Sequence, residues 1–340
     1  MNPREIVFEQ IRHHETSPVP YTLAFEREVG IRLDEHYGGE AWRERIVPYI
    51  AHCGSVVTSG NEKIDDTHHR DAFGTVWRTD EEPPVVVDRG LKAPSFEGYD
   101  FPSIERFLDP ELKPKVKKRV AESPDAFTIV SAALCLWESW YVRGFEDTLM
   151  DCAMEEDFYA ELLDRMTALC LGWIEACADI PADAIMMGDD WGDQRGVLIG
   201  PERWRRFYKP RYARIFEAIH DQGKVAIMHC CGSARDIMDD IVDIGLDVFE
   251  SVQPEAGGMN PYELKRGWGD KITFWGCLGS QSTIPFGTPG ELREEIRRLR
   301  SEMGKGGGYI LAPAKPLRPE TPTDNAVALV EEFLGSPASA

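Results

Sequence analysis

The stretch KVAIMHCCGSARDIMDDIVDIG, residues 224–245, joins a strand pattern directly to a helix pattern. Its first six residues form a short apolar run that is typical of a buried strand. Apolar residues then recur at helical spacing over 233–244, with Ser233 as a plausible N-cap. DVFES (247–251) predicts the next strand. A helix between two buried strands indicates that the strands run parallel.

The same unit recurs along the whole chain. Eight short apolar segments predict strands: YTLAF (21–25), SVVTS (55–59), FTIVSA (127–132), AIMMG (184–188), KVAIMH (224–229), DVFES (247–251), ITFWG (272–276) and GYILA (308–312). Amphipathic segments predict helices over 40–52, 144–178, 201–222, 233–244, 260–267, 289–304 and 323–334. Eight strands alternating with helices predict an α/β fold, the closed (β/α)8 or TIM barrel. We expect one barrel domain over residues 1–334 and a frayed tail at 335–340.

Residues 60–125 are too long for one crossover connection and contain turn dipeptides between apolar runs. We expect an N-terminal insertion there, built from a hairpin and a helix. It could lie over the mouth of the barrel, where the loops after the strands build active sites, or it could be a purely structural excursion.

The charge balance excludes several partners. The chain carries 38 basic and 59 acidic residues among 340, a formal net charge of −21. This field repels nucleic acid and anionic membrane surfaces, although a local cluster of cations can still bind an anionic small molecule. No run reaches the roughly 20 apolar residues of a membrane helix, and no signal peptide is visible, so we expect a cytoplasmic protein. Five of the eight cysteines are expected to be small buried hydrophobes: Cys53, Cys135, Cys152, Cys170 and Cys177.

The strand that ends at residue 229 presents an imidazole and two thiols. Side chains two apart in an extended segment share a face, so His229 and Cys231 form the natural pair, while Cys230 turns toward packing. Nitrogen and sulfur ligands suit Zn²⁺, but a lone His-x-Cys supplies too few of them. The pair therefore predicts either part of a metal site or a buried histidine beside two core cysteines.

Three more candidates follow other strands at the same end of the barrel. Glu250 could supply an oxygen ligand to a metal or a hydrogen bond to one of the ligand residues. Cys277 could supply a soft ligand, and Lys315 follows the last strand. The alternative for Glu250 is a strand-end hydrogen-bond network, and the alternative for Cys277 is packing beside glycines.

The segment MMGDDWGDQRG (186–196) is a strand that runs into a polar loop. Asp189 and Asp190 could perform acid–base chemistry or hold a substrate, unless one of them caps the loop. Trp191 could stack on a ring or simply pack, and Gln194 and Arg195 are substrate-binding candidates. Solvated loops are favoured for two softer sets: Glu138 and Arg143, and the run 68–71. No GxGxxG, GxxxxGK[ST] or GxSxG motif is present, so nucleotide-binding and α/β-hydrolase functions have no support.

Three segments together resemble the uroporphyrinogen decarboxylase superfamily, whose fold is a (β/α)8 barrel. They are DDWGDQRGVLIGPERWRRFYKPRYARIF (189–216), MHCCGSARDIMDDIVDIGLDVFESVQPE (228–255) and YILAPAKPLRPETPTDNAVALVEEF (309–333). The resemblance covers about residues 125–334 well and the N-terminal third loosely. True decarboxylases hold the carboxylates of the porphyrinogen with an RQAGRY-type segment. Residues 18–39 lack one, since Arg27 and Arg32 are isolated there, so porphyrin decarboxylation is not expected.

The chain is more similar to the cobamide-dependent methyltransferase branch of that superfamily. This resemblance implies a zinc site built on His229, Cys231 and Gly232, and a corrinoid carried by a partner protein. Lys315 stands where the branch has a further ligand cysteine. The metal could be held by His229, Cys231 and either Glu250 or Cys277, or the zinc is lost and Lys315 supplies a charge or a base.

The expected function is therefore methyl transfer between a small O- or N-methyl compound and a corrinoid or thiol acceptor. In it, Asp189 and Asp190 orient the substrate. The alternative is a metal-free decarboxylase or lyase of a small carboxylate, with Lys315 or Arg195 as the anion clamp. A third, non-enzymatic possibility is a binding protein on a degenerate barrel.

Overall fold

The computed structural model describes residues 1–81, 83–131, 136 and 139–335. Cys135, Glu138 and all of the predicted tail except Gly335 lie outside the described residues. The strands are β1 (Ile50–His52), β2 (Glu62–Lys63), β3 (His68–Arg70), β4 (Val76–Arg78), β5 (Val85–Asp88), β6 (Phe127–Ser131), β7 (Ala184–Gly188), β8 (Val225–His229), β9 (Val248–Val252), β10 (Thr273–Leu278) and β11 (Tyr309–Pro313).

The helices surround these strands. They are α1 (Pro3–Ile11), α2 (Arg27–Tyr37), α3 (Leu112–Ala121), α4 (Ser139–Arg143), α5 (Phe145–Met154), α6 (Glu156–Ala176), α7 (Pro201–Phe207), α8 (Lys209–His220), α9 (Met238–Asp243), α10 (Pro261–Trp268), α11 (Thr283–Phe286), α12 (Pro289–Met303) and α13 (Thr323–Leu334). None of these described helices combines the length and the apolar character needed to cross a bilayer.

A parallel sheet of seven strands forms the centre of the described structure, in the order β1-β6-β7-β8-β9-β10-β11. Every residue of β10 and β11 is buried, because helices cover these parallel strands. Gly188 pairs with His229, and His229 pairs with Glu250, so β7, β8 and β9 end at the same level. The α/β fold with parallel strands is as the sequence predicts.

The predicted first strand does not form a ladder. Residues 21–25 contribute two isolated parallel bridges, from Tyr21 to Leu311 and from Phe25 to Leu317. The described strands therefore form a seven-stranded parallel sheet flanked by this segment. The prediction of eight strands in a closed barrel is confirmed only in part.

The second predicted strand was placed wrongly. The strand in the sheet is β1, and Val57, from the predicted strand 55–59, makes only an isolated antiparallel bridge with Leu108. The predicted helix over 40–52 is a 3₁₀ turn at Glu40–Arg45 that leads to β1. Pro48 explains the change, since it lacks an N–H and disfavours helical geometry at the residue before it.

The insertion is larger than a hairpin. β2, β3, β4 and β5 form a four-stranded antiparallel sheet, and α3 leads from it to β6. The Thr75 hydroxyl donates to the Tyr141 carbonyl at 3.0 Å, and the Leu91 amide donates to the Val142 carbonyl at 3.0 Å. These contacts place the insertion against α4, on the side of the molecule where β6 ends.

Two predicted helices are each divided in two. The segment 144–178 is α5 and α6, and the segment 201–222 is α7 and α8. Ser233 is not an N-cap, because α9 begins five residues later and the Ser233 hydroxyl donates to the Gly257 carbonyl at 2.6 Å. This bond holds the loop after β8 against the loop after β9.

Candidate functional site

Three candidate ligand side chains meet at the end of β7 and β8. The His229 Nε2 lies 3.2 Å from the Cys231 Sγ and 3.9 Å from the Asp190 Oδ1. The donor atoms of all three lie within 4.8 Å of one another. All three residues are half-buried. We call Asp190, His229 and Cys231 the cluster.

The backbone after β8 holds the cluster in place. The Cys231 amide donates to the Asp190 Oδ1 at 2.7 Å, and the Gly232 amide donates to the Gln253 Oε1 at 3.0 Å. Gly232 has a φ of 76°, and a Cβ there would lie 2.6 Å from the Gly192 carbonyl oxygen. Only glycine fits this turn, which explains why it follows Cys231. Cys230 is fully buried, and its thiol donates to the Cys231 carbonyl at 3.4 Å.

Glu250 orients His229 from the neighbouring strand. Its carboxylate is hydrogen-bonded to the His229 Nδ1, which leaves Nε2 facing Cys231 and Asp190. Burial alone would lower the pKa of His229, but the hydrogen bonds with Cys231 and Glu250 outweigh it and raise the pKa to about 10. Glu250 thus lies behind the histidine rather than among the cluster's donors.

Lys315 reaches the cluster from the loop after β11. Its Nζ donates to the Cys231 Sγ at 2.8 Å. The sulfur therefore contacts an imidazole on one side and an ammonium group on the other.

The donor chemistry of the cluster fits Zn²⁺. Nitrogen, sulfur and carboxylate oxygen are zinc ligands, and three protein ligands with one open position are typical of catalytic zinc. Glu250 on the far ring nitrogen is the carboxylate–histidine arrangement that orients such a ligand. Lys315 is a hydrogen-bond donor to this site and, as an ammonium group, cannot be a ligand.

A cavity of about 370 Å³ opens beside the cluster. His229, Glu250 and Lys315 border it, and its walls include Tyr21–Ala24, Ile46–Ile50, His52, Met186, Trp275 and Ala312–Pro316. Besides two histidines, Lys315 is the one basic residue among the described residues of this lining. Most of this lining is therefore apolar.

His52 and Trp275 were missed as candidate site residues. Their rings stack at 6.1 Å between centroids, and the His52 side chain is open to the cavity. Burial lowers the pKa of His52, although the Glu250 carboxylate acts in the opposite direction. The signal was PYIAHC (48–53), a proline followed by an apolar run that ends in histidine.

Cys277 does not lie with the cluster. It is 1% exposed, and its surroundings include Tyr309, Lys265 and Glu295 on the helix-covered side of the sheet. Burial raises the pKa of its thiol. The pairing of β9 and β10 shifts after Trp275, and Cys277 has a φ of 75°, so regular alternation does not predict where its side chain points.

The polar loop after β7 contributes Asp190 alone to the cluster. Asp189 is 2% exposed and accepts a hydrogen bond from the Tyr212 hydroxyl. Trp191 is buried and packs on Trp204 and Tyr212, with ring centroids at 5.3 and 5.1 Å. These placements favour packing for Trp191 and a structural hydrogen bond for Asp189.

Gln194 and Arg195 lie outside the cavity lining. Both are exposed, and the Arg195 side chain, 91% exposed, pairs with Asp193 at 2.9 Å. Arg195 is thus held at the surface by the carboxylate two residues before it.

Two of the residues expected in solvated loops have structural partners instead. Arg143 is buried and pairs with Asp151 at 2.8 Å and Asp147 at 2.9 Å. Asp71 accepts hydrogen bonds from the Trp77 indole and from two backbone amides, so it stabilises the turn before β4.

Comparisons with known proteins agree with this architecture. A methyltransferase from Methanosarcina mazei has the same fold, with a TM-score of 0.71, 17% identity and 98% of each chain covered. The methylcobamide:CoM methyltransferase MtaA of Methanosarcina barkeri is 27% identical over 174 residues, which are 51% of this chain and 48% of that protein. A uroporphyrinogen decarboxylase of Thermus thermophilus is 25% identical over 177 residues, 52% of this chain and 48% of that protein.

The match with these curated relatives spans about half of their length. The family model described as uroporphyrinogen decarboxylase (URO-D) matches residues 113–333, which include β6 to β11 and every residue of the cluster. The chain belongs to the uroporphyrinogen decarboxylase family.

Proposed function

We propose that this chain is a methyltransferase that moves a methyl group between a small O- or N-methyl compound and a corrinoid on a partner protein, or a thiol acceptor. The observation that carries the proposal is the cluster of Asp190, His229 and Cys231 at the end of an apolar cavity. The similarity to a methylcobamide:CoM methyltransferase supports the same choice.

The cluster would hold the zinc ion through the Asp190 Oδ1, the His229 Nε2 and the Cys231 Sγ. When bound there, zinc supplies Lewis acidity to a heteroatom or thiol at its open position. Glu250 keeps the Nε2 of His229 directed at the cluster. In the metal-free protein, Lys315 donates a hydrogen bond to the same sulfur.

The cavity selects a small and mostly apolar substrate. Its walls contain Met186, Trp275 and Tyr21, and its volume of about 370 Å³ suits a compound of drug-fragment size. Such walls exclude water from the reacting groups, which strengthens every charge interaction at the cluster end.

The same cavity gives no support to a porphyrinogen substrate. Eight carboxylates require several cations, whereas the basic residues of the described lining are Lys315 and two histidines, one of which is hydrogen-bonded to Glu250. Arg32 donates to the carbonyls of Thr321 and Pro319 at 2.9 and 3.0 Å, and it is engaged in holding the C-terminal loop.

A metal-free decarboxylase or lyase of a small carboxylate is the second candidate. The contact between Lys315 and Cys231 favours it, because it places a permanent cation in the cavity where an anion could bind. Arg195, the other proposed clamp, lies at the surface paired with Asp193, so Lys315 would carry that role alone.

The deciding experiment supplies the purified protein with a panel of O- and N-methyl compounds and with reduced cobalamin, and follows methylcobalamin by absorbance. We expect methylcobalamin with at least one compound and zinc near one equivalent. Cys231→Ser should abolish both, whereas the buried Cys277→Ser is the matched control and should retain both. Release of carbon dioxide from small carboxylates, with no methylcobalamin formed, would establish the second candidate instead.

A further inference from the structure

The Cys231 sulfur has two partners in the structure, and they differ in kind. His229 approaches with Nε2 at 3.2 Å, and Lys315 approaches with Nζ at 2.8 Å. The imidazole belongs to the donor set of the cluster, whereas an ammonium group has three N–H donors and no lone pair. Lys315 therefore places a cation, and no ligand atom, beside the sulfur that a metal would bind.

A divalent ion held by the cluster and the Lys315 ammonium group are both cations, and both would contact the same sulfur. A zinc ion would lie roughly 2.0–2.3 Å from its ligand atoms. An ammonium group one hydrogen bond from that sulfur repels the ion in a half-buried setting where screening by water is weak. The two arrangements, Lys315 on the sulfur and metal on the sulfur, therefore oppose each other.

A second cavity is within the surroundings of Lys315. Lys315 also lines a separate cavity of about 300 Å³, whose lining includes Gln253, Ser280 and Gln281. The Ser280 hydroxyl is buried there without a hydrogen-bond partner among the described residues. Polar atoms and free volume thus allow the ammonium group to leave Cys231 for this second cavity.

We propose that Lys315 is an internal competitor of the metal: it occupies the Cys231 sulfur in the metal-free protein and must move into the second cavity for zinc to bind. This inference rests on the metal site of the proposed function. It adds that the residue at position 315 determines how tightly the cluster binds its metal, independently of any methyl transfer.

The test measures zinc affinity without turnover, by competition with a chromophoric chelator. Lys315→Met keeps the length of the side chain and removes its charge, and it should bind zinc at least tenfold more tightly than the wild type. Lys315→Arg keeps the charge and should stay within about threefold of the wild type. Lys271→Met, an exposed site with the same change in net charge, is the matched control and should not change the affinity.

Cobalt(II) provides an independent signature, since thiolate ligation gives a sulfur-to-metal charge-transfer band. The band should appear at lower cobalt concentration in Lys315→Met than in the wild type and should be absent from the Lys315→Met, Cys231→Ser double variant. If Lys315→Met is poorly folded by circular dichroism, Lys315→Gln replaces it.

Equal or weaker zinc binding by the uncharged variants would overturn the inference. Zinc binding that is equally weak in every protein, including Cys231→Ser, would overturn both the inference and the zinc part of the proposed function. Tighter zinc binding by Lys315→Met in a protein without methyltransferase activity would support the inference and count against the proposed function alone.

Discussion

Glu250 on β9 is hydrogen-bonded to the Nδ1 of His229 on β8, and the two residues are direct neighbours in the parallel ladder. The raised pKa of His229, about 10, depends on this bond and on the contact with Cys231. In the metal-free protein, Glu250→Gln should therefore move the pKa of His229 down toward the ordinary value near 6.5. Titration of the His229 imidazole by NMR checks this, and an unchanged value would contradict it.

The same bond makes a prediction for stability. A histidine with a raised pKa in the folded state stabilises the protein fully below the pKa of the unfolded chain, near 6.5, and this contribution is lost as pH rises through about 10. These pKa values set the approximate pH range of the effect. The difference in unfolding free energy between wild type and Glu250→Gln should be largest between about pH 5 and 6.5 and should shrink toward pH 10. Urea unfolding of the metal-free proteins at several pH values measures it.

Cys231 should be the reactive thiol among the described cysteines. It is half-buried beside Lys315 and His229, whereas the other six described cysteines are buried. A disulfide reagent should modify Cys231 in the native protein and reach Cys277 only on unfolding, since burial raises the pKa of that thiol. Peptide mapping identifies the site. Rapid native labelling that persists in Cys231→Ser at any of these six would contradict the assignment.

Asp183 joins the N-terminal helix to the base of the sheet. It is 8% exposed, pairs with the Arg4 Nη2 at 2.6 Å, and accepts from the Thr128 amide and hydroxyl at 2.9 and 3.0 Å. Asp183→Asn leaves these donors poorly matched and should cost about 2–4 kcal/mol of stability. Asp179→Asn is the control, an exposed carboxylate paired with Lys113 and Lys117, and should cost less than about 1 kcal/mol. Chemical denaturation compares them.

Trp191 should behave as a packing residue. Trp191→Ala removes a buried ring from its contacts with Trp204 and Tyr212 and should cost about 3–5 kcal/mol. Arg195→Ala, four residues along the same loop and 91% exposed, should change stability by less than about 0.5 kcal/mol. Thermal unfolding separates the two outcomes, and a Trp191 variant of unchanged stability would show that the ring is not part of the core.

The parts of the fold that the sequence predicts correctly depend on local patterns. The strands from β6 to β11 are apolar runs between amphipathic helices, so their periodicity alone identifies them. β1 was misplaced because it has three residues and follows Pro48, which interrupts an otherwise helical pattern. The four strands of the insertion pair in sequence order over short turns, but each has only two to four residues, too few to show an alternating pattern.

The site residues likewise differ in how far local sequence patterns predict their positions. Alternation along one strand predicts that His229 and Cys231 face one side, and the structure places them 3.2 Å apart. The position of Glu250 depends on the register between two strands, and that of Asp190 on the path of a loop, which the sequence does not specify. Cys277 shows the limit most clearly, since a shift in pairing and one residue of left-handed backbone change where its side chain points.

The cavity walls come from two parts of the chain, and only one of these parts matches the family model. The cluster and Lys315 lie within residues 113–333, the part that matches the family model, whereas Tyr21–Ala24, Ile46–Ile50 and His52 lie before it. The cluster and a large share of the cavity wall are thus contributed by different parts of the chain. Under the proposed function, exchange of the first 112 residues between members of this family should therefore change substrate preference while the cluster stays the same.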